Sequence, residues 1–199
     1  MVYALVGYVV IFAAQVTGYF FTRALAILAQ ALETLTAIIM VCVLLLALAW
    51  TRRRRSLTQR PSRVHTRQGI ALCVVACATL AFSAGTLWEA IKRLVVGIRL
   101  PVRNVNIGMA ALLLGMAFVT VPIIDIIRSR LHGEPIGMRI VSFVKDEVSY
   151  LAGIVGTALA AAGHAWADPV ASLVIGVLVG VGGILLVRDS ILCLAGKSL

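Results

Sequence analysis

The chain has 199 residues, of which 61% are hydrophobic and 13% charged, against about 25% charged in an ordinary soluble domain. That composition excludes a soluble globular enzyme and indicates a chain embedded in a bilayer almost throughout. A formal net charge of +10 would suit a nucleic-acid binder, but the Lys and Arg residues crowd into short gaps between apolar segments, so topology accounts for them and no nucleic-acid partner is expected.

With about 20 apolar residues needed to cross a bilayer, the sequence predicts an all-α polytopic membrane protein, a single domain over 1–199 with six transmembrane helices. The first covers 2–21. Met1 leads straight into apolar residues with no basic leader, so no signal peptide is expected. The second, 24–50, carries Glu33 at its centre, with Gln30 three residues before it. It runs into Arg52, Arg53, Arg54 and Arg55, a cluster suited to snorkelling toward anionic headgroups. The third, 69–96, holds Cys73 and Cys77; like Cys42 and Cys193 they lie in apolar segments and read as small packing residues, not as a disulfide framework.

The fourth span covers 105–127, with Asp125 and Arg128 as a surface pair at its end. The fifth, 140–162, contains Lys145, Asp146 and Glu147. The sixth, 169–195, follows Asp168, which is expected to cap it ahead of Pro169. Its Gly176 and Gly180 form a Gly-x-x-x-Gly pattern that permits close helix contact, inside one protomer or between two. Since Gly196 to Leu199 alone follow the last apolar run, no soluble C-terminal domain is expected.

Arginines cluster after the second span (Arg52 to Arg55, Arg60, Arg63, Arg67) and after the fourth (Arg128, Arg130, Arg139). The positive-inside rule places both connections in the cytoplasm, hence both termini as well, with the plasma (inner) membrane as the expected location. An acidic side chain in the hydrocarbon costs roughly 2.5 to 3.5 kcal/mol even on the permissive insertion scale, so it is kept where it faces a partner, a cation or water. Glu33, Asp146 and Glu147 therefore mark a transporter. The structural alternatives are a Glu33 hydrogen-bonded to Gln15 or Thr17, and an acidic start to the fifth helix favoured by its dipole. The spans contain no Ser-His dyad and no His-Glu-x-x-His motif, so no catalytic residue and no resident cofactor are expected.

Three stretches carry a family likeness. Gly18 to Ala37 resembles Gly-Ser-x-Ala-Leu-Leu-Ala-Asp-Ala-x-His-Ser-x-x-Asp; Trp88-Glu89-Ala90-Ile91-Lys92-Arg93-Leu94 is similar to Glu-Ala-Ile-x-Arg-Leu; and Gly163 to Ser172 is similar to Gly-x-x-Trp-x-Asp-Pro-x-x-Ser. These motifs, in this order, belong to the cation diffusion facilitator family of divalent metal transporters. The resemblance implies a membrane domain of six helices, a homodimer, and proton-coupled antiport of a divalent cation out of the cytoplasm.

The family builds its metal site from two residues four apart on the second helix and two on the fifth, because such pairs share a helix face. The matching positions here are Glu33 with Ala37, and Ser142 with Asp146. One carboxylate is present on each helix, and no histidine lies in either. Gln30 and Glu147 would supplement the set. The Asp146-Glu147 pair resembles the Glu-Asp pair of one branch of the family, which leaves a fifth-helix register displaced by one residue open. So oxygen-rich a set suits Mn²⁺ or Mg²⁺ better than Zn²⁺, with Fe²⁺ also a candidate. Two rival expectations stand beside transport of metal: a transport-inactive membrane partner or regulator, and an unrelated proton-coupled carrier of small cations or solutes.

Overall fold

The computed structural model describes residues 2–53, 62–97, 104–121 and 137–195. Among these the chain is helical: α1 (Val2–Thr22), α2 (Leu25–Arg53), α3 (Ser62–Val96), α4 (Val105–Thr120), α5 (Gly137–Ala161) and α6 (Ala167–Leu194). Segments of α1, α2, α3 and α6 are long and apolar enough to cross a membrane, and α4 is a shorter apolar helix. The polar cluster Lys145, Asp146 and Glu147 interrupts the apolar run of α5. α3 starts at Ser62, ahead of the apolar stretch. The end of the expected fourth span beyond Val121, and the arginines from Arg54 to Arg60 and from Arg128 to Arg130, lie outside the described residues.

The chain reverses between α1 and α2 in two residues. Arg23 adopts a left-handed backbone (φ 59°), while Thr22 Oγ1 donates to the Gly18 carbonyl at 2.7 Å and accepts from the Ala24 amide at 3.2 Å. A single hydroxyl thus bridges the end of one helix and the start of the next.

Two groups of helices follow. α3 lies along α6, its most extensive contact. Ser83 Oγ donates to the Gly176 carbonyl at 2.8 Å, and a Cβ added at Gly180 would stand 2.7 Å from the same oxygen. The Gly-x-x-x-Gly pattern therefore serves a contact inside the protomer. α1, α2, α4 and α5 form the second group around Ala24, Ile27, Leu112 and Tyr150. Gly115 lets α4 approach the Tyr150 ring, which any Cβ would meet at 2.5 Å. The outward faces of both groups expose valine, leucine and isoleucine, among them Val6, Val10, Val74 and Val181, as lipid contact requires.

Asp168 departs from the expected cap. Its carboxylate accepts from the backbone amides of Leu25 (2.8 Å) and Ala26 (2.9 Å), the first residues of α2. Amides at a helix start have no intrahelical acceptor, so Asp168 on α6 caps a helix remote in sequence rather than its own. Arg93 Nη1 lies 3.8 Å from Asp168 Oδ2 and its Nε donates to Glu89 at 3.2 Å. The Arg93 and Asp168 motifs thus meet at one end of the bundle, where α1 ends, α2 and α6 begin and α3 ends.

Candidate functional site

Glu33 stands in the middle of the membrane-spanning part of α2, Leu25–Val43, and turns toward α5. Its Oε1 accepts from Lys145 Nζ at 2.7 Å. Its Oε2 accepts from Ser149 Oγ at 2.6 Å and from Gln30 Nε2 at 2.9 Å. Among the described residues every bond to this carboxylate comes from a side chain, and Gln30 and Ser149 also lie close to each other, with Ser149 Oγ 3.1 Å from Gln30 Oε1. Gln30 is one turn before Glu33 on α2, and Lys145 and Ser149 are one turn apart on α5, so each helix presents a polar face to the other.

Lys145 Nζ also lies 2.9 Å from Asp146 Oδ1. One ammonium therefore joins the two acidic residues singled out in the sequence, and the link between Glu33 and Asp146 runs through Lys145. Asp146 and Lys145 are neighbours in sequence, about 100° apart around the helix; the long lysine stem spans the difference. Glu147, a further step around, is held by α4: Thr120 Oγ1 donates to its Oε1 at 2.7 Å. Gly137 begins α5, and its first turn contains no acidic residue, so the helix-start reading of Asp146 and Glu147 does not hold. The Ser142 side chain lies outside the described residues.

Behind Glu33 a second set of polar groups fixes the helices. Thr34 Oγ1 donates to Gln15 Oε1 at 2.8 Å, and Gln15 Nε2 donates to Tyr150 Oη at 3.2 Å. Gln15, Thr34 and Tyr150 are buried; in a bilayer such groups find partners on other helices because no water is there to serve. Gln15 thereby bonds to Thr34 and Tyr150, not to Glu33 as the structural alternative had it. The chain of contacts ties α1, α2 and α5 together one residue away from the acidic cluster, since Thr34 follows Glu33 and Tyr150 follows Ser149.

Glu33, Asp146 and Gln30 come together; Glu147 faces another helix. Sequence reasoning missed Ser149 and noted Lys145 only as a neighbour of Asp146 and Glu147. The recoverable signal was their spacing of four, which puts both on the α5 face turned to Glu33. Among the described residues no three of His, Cys, Asp and Glu converge as a metal-binding group. Around the Glu33 carboxylate stand the Gln30 amide and the Ser149 hydroxyl, while the Asp146 carboxylate meets it through the Lys145 ammonium.

A family model for the cation efflux transmembrane domain matches residues 1–195. No curated protein matches the chain.

Proposed function

The chain belongs to the cation efflux transmembrane-domain family, and we propose that it carries a divalent metal ion out of the cytoplasm in exchange for protons, through a site between α2 and α5 with Glu33 and Asp146 as principal ligands. Proteins of this family are integral membrane transporters of divalent cations and not enzymes, so the coarse function follows from membership. The observation that carries the finer reading is the convergence of Glu33 and Asp146, from two helices, on one positively charged nitrogen (2.7 and 2.9 Å). Positive charge is held there already, at the depth where a transported ion has to be stripped of water.

The chemistry asked of the chain is reversible ligation. Deprotonated carboxylates bind the ion; protons arriving from the other side compete for the same oxygens and release it. Rocking of α2 and α5 against their neighbours exposes the cluster to each side in turn. Gln30 and Ser149 hold the Glu33 carboxylate in place and offer oxygens of their own, and the metal is the cargo, with Mn²⁺ and Mg²⁺ favoured over Zn²⁺ by the oxygen donors and Fe²⁺ also a candidate. The proposal includes a homodimer in the plasma (inner) membrane with both termini in the cytoplasm, as the arginine clusters after the second and fourth spans suggest.

The test is metal-driven proton flux in proteoliposomes, screening Zn²⁺, Mn²⁺, Mg²⁺, Fe²⁺, Co²⁺ and Cd²⁺ on wild type, Glu33→Ala and Asp146→Ala. Flux driven by one metal and abolished by both substitutions is the expected result. A wild type silent to every metal would turn the assignment to a transport-inactive membrane partner or regulator, the reading favoured by the lack, among the described residues, of three converging His, Cys, Asp or Glu ligands.

A further inference from the structure

The geometry points to Lys145 as a tethered cation that occupies the cargo's place: its ammonium sits between Glu33 and Asp146 where a divalent ion would bind, and loading of the site requires it to leave. This inference rests on the site proposed above and deepens it.

Three observations carry it. First, Glu33 receives one charged donor, Lys145, and two neutral ones, Gln30 and Ser149; the neutral donors orient the carboxylate, and among the described residues Lys145 is the cation that offsets its charge. Second, the same nitrogen reaches Asp146 at 2.9 Å, so it bridges both carboxylates. Third, the charge count favours exchange over co-occupancy. Two carboxylates balance one divalent ion, whereas a divalent ion added beside a retained ammonium would leave an excess positive charge in a half-buried, weakly screened place. Lysine suits the part because its compact charge rides on a flexible four-carbon stem that can swing aside while the helix stays put. Gln30 and Ser149 remain to hold Glu33 when it does.

A bound ion and Lys145 therefore compete, and the lysine sets the threshold concentration at which cargo is accepted. Purified wild type, Lys145→Met, Lys145→Arg and the double variant Lys145→Met/Glu33→Gln are titrated with Mn²⁺, Mg²⁺ and Zn²⁺ by calorimetry. Lys145→Met is expected to bind at least one of them at least about tenfold more tightly than wild type, because the ion no longer has to displace an ammonium held by two carboxylates. Lys145→Arg keeps the charge and stays near wild type, and the double variant loses the gain.

A companion measurement on the unaltered protein follows acylation of Lys145 by a small amine reagent, read by peptide mass spectrometry against Lys92 and Lys197. Metal is expected to raise labelling of Lys145 and leave the other two unchanged. Wild type binding as tightly as Lys145→Met, or binding metal with Lys145 labelling unchanged, overturns the inference and leaves the proposed function standing. Failure of wild type and Lys145→Met alike to bind any of the metals overturns both.

Discussion

Two acidic residues are held inside this bundle in opposite ways. Asp168 is clamped by the fixed amides of Leu25 and Ala26, with Arg93 beside it; its side chain is 7% exposed and that of Arg93 8%. Glu33 is held by the side chains of Gln30, Lys145 and Ser149, and the exposures rise to 14% for Glu33, 27% for Lys145 and 34% for Asp146. Backbone amides cannot turn away, whereas an amide, an ammonium and a hydroxyl on rotatable stems can. The same carboxylate chemistry thus makes a joint on fixed backbone at one place and one on rotatable side chains at the other.

The largest effect expected from breaking this contrast is at the joint. Asp168→Ala leaves the helix-start amides of Leu25 and Ala26 without their acceptor and takes one carboxylate from beside the buried Arg93, which keeps Glu89; each orphaned buried amide costs about 1 to 3 kcal/mol. The purified variant is expected to show a markedly lower unfolding temperature in detergent, with Asp168→Asn intermediate because its carbonyl still accepts from one amide. At Glu33 the balance is expected to reverse. Glu33→Gln keeps the shape and one acceptor oxygen, so the unfolding temperature is expected to move little while metal-driven proton flux falls at least about 100-fold, beyond the tenfold to 100-fold range known for groups that merely orient a ligand. An unfolding shift as large as that of Asp168→Ala would erase the distinction.

The smallest effect sharpens it. Ser149→Ala removes one donor to Glu33 and leaves Lys145 and Gln30, and the expected loss is about tenfold in flux at low metal concentration, the lower end for an orienting partner. Saturating metal is expected to restore most of the rate, since the ligands themselves remain. A loss that persists at saturation would give Ser149 a part in the movement of the ion as well as in its capture.

The helical, membrane-embedded class was legible because bilayers impose it: apolar runs of spanning length separated by arginine-rich gaps have few other readings. Glu33 was legible for the same reason, as an acid in the middle of such a run. What could not be read was pairing across helices. Whether Lys145 or Asp146 meets Glu33 depends on the rotation of α5 against α2, where one residue is about 100°, and an apolar background supplies no marker of that rotation. Asp168 shows the same limit. A residue before a proline at a helix start reads as a local cap, and the amides of Leu25 and Ala26 that it does serve are brought to it only by packing. The likeness between Trp88 to Leu94 and a family motif gave no hint that Arg93 would stand beside the motif at Asp168.

The clamp on the first turn of α2 also fixes the mechanics of any motion that preserves it. A rod pinned at one end swings most at the other. α2 extends from Leu25 to Arg53, about 43 Å at 1.5 Å per residue, and Glu33 lies about 12 Å from the pin. For a small tilt about the clamp, Glu33 is displaced by about a quarter of the travel at the Arg53 end, so the acidic cluster sits on the slow part of the lever.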